Sequence, residues 1–192
     1  MEQRIKEIIA ASIGVKQELL ASDSTISCVE KVVQLLVLAF QSGHKVLFCG
    51  NGGSAAGAQH LAAELSGRFY LDRPPLFAEA LHVNSSFLTA VANDYGYEEV
   101  FARAVRAMGR HGDVLCVLST SGRSGNVLPA IQAAKDIGMK VVGFTGASGG
   151  NMKGQCDFLI QVPSTDTPRV QECHLLIGHI ICELTEAALF NS

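Results

Sequence analysis

The chain has 192 residues, one domain by the usual range of about 100–200 residues. Hydrophobic residues make up 48% and charged residues 17%, which excludes a disordered chain, where charge is high and aliphatic content low. Fifteen Lys and Arg against eighteen Asp and Glu leave a net charge of −3 and an isoelectric point near 6.0, so the basic patch of a nucleic-acid binder is missing and no nucleic-acid partner is expected. Residues 1–43 read as two helices. Ile5, Ile8, Ile9 and Ile13 recur at helical spacing, and Ser22–Asp23–Ser24 offers a turn and an N-cap. The run from Cys28, apolar on more than one side and stopping at Gly43, predicts a helix buried on several sides, in part by other subunits.

From 44 onward the period changes. KVLFCG (45–50) suits a buried strand, and a helix follows from about Ser54. The same strand–turn–helix grammar returns at 113–119, 120–126 and 127–138, then with strands at 139–146 and 157–163. A long helix runs from about Pro168 to Phe190. Strands alternating with helices predict a parallel sheet with helices on both faces, an α/β sandwich. Six scattered cysteines without a CxxC pair read as buried free thiols in a reducing compartment. The charged N-terminus lacks the apolar core of a signal peptide, and no segment offers the roughly 18–20 unbroken apolar residues of a membrane span. A cytoplasmic protein without a membrane partner is expected.

Two loops leave strands at the sheet end where ligands bind in open α/β folds. Cys49–Ser54 is glycine-rich, and Ser119–Asn126 holds four hydroxyls in six residues: Ser119, Thr120, Ser121 and Ser124. Neither is a dinucleotide fingerprint or a Walker A loop. Hydroxyls, exposed N–H groups and a helix N-terminus suit a phosphate dianion; the plainer alternative is a helix cap made by Ser124. His60 and Glu64, four apart in a helix, share one face and fit a divalent metal or a base with its polar partner. His179, flanked by Ile177, Ile180, Ile181 and Cys182, is expected to be buried.

Four stretches, CGNGGSAAGAQHLAAELSGRF, AVANDYGYEEVFARAV, GDVLCVLSTSGRSGNV and TPRVQECHLLIGHIICELTE, together resemble the sugar isomerase (SIS) domain family, and within it the phosphoheptose isomerases. The resemblance covers essentially the whole chain. It implies a single Rossmann-like SIS domain over 1–192, with the helices of 1–43 used in oligomer packing and an α/β core over 44–192. It also implies isomerisation of sedoheptulose 7-phosphate to D-glycero-D-manno-heptose 7-phosphate, at the head of ADP-heptose synthesis for the lipopolysaccharide core. Asn51, Gly52, Gly53, Glu64, Asn93, Asp94, Ser119, Thr120, Ser121, Ser124 and Gln171 would contact the sugar phosphate. Glu64 and His179 would be the acid–base pair, in either order. His60, Glu64, Gln171 and His179 match the positions that hold one zinc per subunit, in a cytoplasmic homotetramer with sites between subunits.

Gln171 and His179 are about 12 Å apart along an ideal helix, so the zinc set needs side chains that lean together, a loosened helix start, or two chains. Pro168 stands where some isomerases carry an acidic residue, and no contact is assigned to it. The DnaA initiator-associating proteins, non-enzymatic tetrameric scaffolds of this fold, are the alternative. Residues 55–59 resemble them more, but they lack the carboxylate and histidine that Glu64 and His179 supply here.

Overall fold

Five apolar runs pair into one parallel sheet in a computed structural model, which describes residues 1–190. The strands are β1 (Val46–Gly50), β2 (Ala78–Ala80), β3 (Val114–Leu118), β4 (Lys140–Thr145) and β5 (Phe158–Gln161), in the order β2-β1-β3-β4-β5. Every residue of β1 and β3 is buried. Helices cover both faces, so these strands are continuous apolar runs instead of alternating ones. Successive side chains point to opposite faces. Val46, Phe48, Val114, Cys116 and Leu118 enter one core; Leu47, Cys49, Leu115 and Val117 enter the other.

The helices are α1 (Glu2–Leu20), α2 (Asp23–Gln41), α3 (Gly53–Ser66), α4 (Ser85–Tyr95), α5 (Val100–Met108), α6 (Val127–Ile137) and α7 (Thr167–Phe190). The α2, α3 and α7 helices pack on the first face, and α4, α5 and α6 on the second. Ser22 caps α2 by accepting from the Thr25 N–H at 3.3 Å, so the helix begins ahead of the apolar run at Cys28. Its Val32, Val33, Leu36 and Ala39 are buried, yet Ile26 and Leu38 remain exposed. By length and hydropathy α7 could cross a membrane; here it is a core helix, burying Val170, Cys173, Ile177 and Ile181 against the sheet and its neighbours.

No strand or helix is expected from the sequence between 67 and 112, where the structure places β2, α4, a 3-10 turn at Tyr97–Glu99 and α5. β2 has only three residues, too few for a period. In α5 the buried Val100, Phe101, Ala104 and Val105 lie on one helical face, a pattern present in the sequence. All six cysteines are free. Burial pushes the Cys49 and Cys116 thiols far above their usual range and that of Cys182 up to about 12, which keeps them protonated.

Candidate active site

From β1 the sheet grows in two directions, with β2 on one side and β3 on the other. Ligands of open α/β sheets sit in the crevice at such a switch point, beyond the carboxyl ends of the strands. Gly50 pairs with Leu118, so the loops after β1 and β3 leave the sheet at the same level. Gly52 occupies the N-cap of α3 without a side-chain bond. A Cβ on Gly53 would lie 2.9 Å from the Gln171 Oε1, and only a glycine lets that amide settle on the loop. Asn51 and Asn126 form a reciprocal amide pair at 2.8 and 3.0 Å, and the Tyr97 hydroxyl donates to Asn51 Oδ1 at 2.9 Å. This pair ties the two loops together. Neither Asn126 nor Tyr97 is a candidate from sequence, because nothing in their spacing shows that both meet Asn51.

In the hydroxyl loop, Ser119 is buried with its Oγ 3.1 Å from Ser124 Oγ. Ser121 Oγ accepts from the Arg123 N–H at 3.2 Å. The half-buried Thr120 has no side-chain partner among the described residues. Asn126, not Ser124, holds the N-cap position of α6, and no side chain caps that helix. The Ser124 cap is therefore not formed; its Oγ turns to Ser119 instead. Two helix N-termini, those of α3 and α6, thus open at the switch point among free hydroxyl donors, an arrangement suited to an anion.

The second half of the site lies between α3 and α7. His60 and Glu64, one turn apart on α3, approach to 3.1 Å between Nε2 and Oε1. His179 on α7 brings its Nε2 to 2.8 Å from His60 Nε2. Two bare lone pairs would repel at that distance, so one nitrogen carries a proton or a cation lies between them. One donor atom from each of the three residues lies within 4.8 Å of the others, and imidazole and carboxylate donors suit a transition metal. His179 is half-buried, not buried as its aliphatic neighbours suggested. Ile177, Gly178, Ile181 and Cys182 form the inward face of α7, Ile180 is exposed, and His179 stands on the flank toward α3. The buried histidine is His174.

The helices come this close because Gly178 lacks a Cβ, which would meet Leu61 Cδ2, lie 2.5 Å from Cδ1 and 3.0 Å from Cγ. The Phe69 ring lies 5.8 Å from that of His179. The segment carrying it is held by Glu186, whose carboxylate accepts the Phe69, Tyr70 and Leu71 N–H groups at 2.7–2.9 Å and pairs with Arg73 at 2.9 Å. Burial would raise the Glu186 pKa, but those donors outweigh it and hold it at about 2.

A cleft of about 450 Å³ lies between α3 and α7, lined by Gly53, Ser54, Gly57, His60, Gln171 and His174 and reaching Leu118, the residue before the hydroxyl loop. Gln171 lies in the second turn of a helix that begins at Thr167, so a loosened helix start is not how it would reach a metal. Asn93 and Asp94 are exposed on α4; Asn93 Nδ2 bonds Asp94 Oδ1 at 2.9 Å, and neither side chain bonds a loop of the cleft among the described residues.

Residues 15–146 match the family profile described as SIS domain. The chain is 48% identical over 192 residues to the phosphoheptose isomerase of Aneurinibacillus thermoaerophilus, covering all of this chain and 97% of that one. It is 50% identical over 195 residues to the phosphoheptose isomerase of Burkholderia pseudomallei, covering 100% and 99% of the two chains. The structure of the phosphoheptose isomerase from Neisseria gonorrhoeae superposes with a TM-score of 0.91 at 40% identity, over 97% of this chain and 98% of that one. With a likeness that runs from end to end and a site built at the expected crevice, the chain belongs to the SIS domain family, and within it to the phosphoheptose isomerases.

Proposed function

We propose that this protein is the aldose–ketose isomerase that converts sedoheptulose 7-phosphate to D-glycero-D-manno-heptose 7-phosphate, the first step toward ADP-heptose for the lipopolysaccharide core. The observation that carries the reading is a cleft at the carboxyl end of the sheet whose lining includes His60, from the His60–Glu64–His179 cluster, and Leu118, the residue before the hydroxyl loop. Ser119, Thr120, Ser121 and Ser124 hold the phosphate, with Asn51, Gly52 and Gly53 at the α3 N-terminus; Asn93 and Asp94 reach the sugar only from the rim. Phosphate binding far from the reacting carbons then orients them.

The reaction moves one hydrogen from C1 to C2 and one hydroxyl proton from O1 to O2. Glu64 and His179 divide these transfers. One takes the C1 proton, leaving an enediolate, and returns it to C2, while the other moves the proton between the oxygens. His60, Glu64 and His179, with Gln171 as the fourth donor, would hold zinc, which when bound polarises the substrate oxygens.

The same chain, as a cytoplasmic homotetramer, would cover the apolar faces it leaves open. Ile5, Ile8, Ile9 and Ile13 are exposed on α1, and a groove of about 700 Å³ between α1, α2 and α7 is walled by Leu20, Ile26, Ile180 and Leu184. A scaffold related to the DnaA-associating proteins has no use for an acid–base pair, and the relatives named above are isomerases.

Proton exchange at the carbons beside the carbonyl, followed by NMR in heavy water, tests the reading. General acid–base groups contribute about 10²–10⁴ in rate. Glu64→Gln and His179→Gln should each slow exchange at least about a hundredfold with assembly unchanged, and the double variant should lose less than the product of the two. Wild-type protein that exchanges no proton of sedoheptulose 7-phosphate, with or without zinc, would end the isomerase reading.

A further inference from the structure

We infer that His174 is a positioning residue, which sets the phosphate-binding loop and Gln171 at their working separation; this rests on the isomerase reading above. His174 is 2% exposed, the one buried histidine among the described residues. Its Nε2 lies 3.2 Å from the Thr145 carbonyl oxygen. A carbonyl only accepts, so Nε2 carries the proton and Nδ1 is a bare lone pair. That Nδ1 is buried with no hydrogen-bond partner among the described residues. A buried polar atom left unsatisfied costs stability that a leucine of similar volume would not cost, so filling the core does not explain the residue.

What the Nε2–H holds is the end of β4. The residues on either side of Thr145 hold the hydroxyl loop: the Ser119 N–H donates to the Phe144 carbonyl at 3.0 Å, and the Gly146 N–H donates to the Thr120 carbonyl at 2.9 Å. The His174 ring also meets Phe144 edge-on, with centroids 5.8 Å apart. One helical turn earlier Gln171 rests on Gly53 in the first loop. A single turn of α7 therefore touches the first loop directly and reaches the second through the end of β4, and His174 is the contact that sets its height over β4. Burial pushes the His174 pKa down to about 4, so the N–H geometry persists across neutral pH.

His174→Leu fills the space without a donor, and His174→Gln returns an N–H at similar reach. Partners one step removed from an active group typically cost 10–100-fold when lost. On that scale His174→Leu should raise KM for sedoheptulose 7-phosphate at least about tenfold with kcat within about threefold, and His174→Gln should bring KM back to within about threefold. Calorimetric titration of the same sugar phosphate should show the same ranking. If His174→Leu is insoluble, His174→Asn, whose amide is too short to reach Thr145, takes its place against His174→Gln. Leu or Asn variants with wild-type KM, or Leu and Gln variants that fall equally in kcat at constant KM, would overturn the inference. A wild-type protein that binds the sugar phosphate but does not turn it over would defeat the isomerase reading alone, and the calorimetric ranking would still decide the role of His174.

Discussion

Gly178→Ala should damage the site far more than the fold. The new Cβ would lie 2.5 Å from Leu61 Cδ1 and 3.0 Å from its Cγ, against an ordinary carbon contact of about 3.5–4.0 Å. Leu61 is 1% exposed, and the void it shares with Gly178 holds only about 10 Å³, room for one water at most, so the overlap is relieved by moving α3 from α7 by about 1 Å. Overpacking of this kind costs about 1–3 kcal/mol, and the better helix propensity of Ala returns about 1 kcal/mol. The net loss of about 0–2 kcal/mol should lower Tm by no more than about 8 °C for a chain of this size. His60 and His179 each adjoin the colliding pair, however. A displacement of about 1 Å at catalytic groups costs roughly a hundredfold in rate, and ligand distances tolerate only about 0.2 Å. Turnover of sedoheptulose 7-phosphate and zinc affinity by calorimetry should therefore both fall steeply, beside a modest change in melting. Leu61→Ala added to Gly178→Ala should recover much of the activity at lower stability. Wild-type turnover and zinc affinity in Gly178→Ala, or no recovery in the double variant, would refute the reasoning.

Thr120→Val removes a hydroxyl that has no side-chain partner among the described residues; a lost bond to a charged oxygen is worth about 1.5–3 kcal/mol, so calorimetry should show sugar-phosphate affinity down by about 10- to 150-fold with an unchanged melting curve. Acid should unfold the protein through two groups with depressed pKa values. Stability supplied by neutral His174 is lost as pH falls from its unfolded value near 6.5 toward about 4, and that supplied by Glu186 from about 4.5 toward about 2. Thermal melts from pH 7 to 2 should show both windows, and Glu186→Gln should flatten the lower one while costing about 3–5 kcal/mol by stranding buried Arg73. Light scattering at micromolar concentration should find a tetramer; a stable monomer would remove the reading of the α1, α2 and α7 faces as subunit contacts.

The sequence showed most clearly what depends on local pattern. Buried strands such as Val46–Gly50 are apolar runs closed by glycine, and the Ser22 cap follows from one residue type at one spacing. The His60–Glu64 pair is equally local, because four residues make one helical turn. Depth was not legible. His174 and His179 sit in the same apolar stretch, and only the packing of α7 decides that the first is buried at the wall of the cleft and the second is half-buried against His60. Nor was partnership across the fold. The Asn51–Asn126–Tyr97 bonds join three loops, and Glu186 meets backbone groups more than a hundred residues away in the chain. Such contacts are set by topology, which a pattern of period 2 or 3.6 does not encode.

The α3 and α7 helices explain how one seam can be open at one end and closed at the other. Both start at the carboxyl end of the sheet and run side by side, so Gly53 faces Gln171, Gly57 faces Leu175, and Leu61 faces Gly178. Small residues on α3 leave room for the cleft over the first two turns, and Gly53, Ala56, Gly57 and His60 line it. One step further the small residue passes to α7, as Gly178, and the helices close until the two imidazoles meet at 2.8 Å. On the proposed site, His60 and Glu64 stand about 10 and 16 Å along α3 from its start at Gly53. A ligand that engages both the proposed anion site and this cluster would carry its phosphate several carbons from its carbonyl end, which favours a seven-carbon sugar phosphorylated on its last carbon over a triose phosphate.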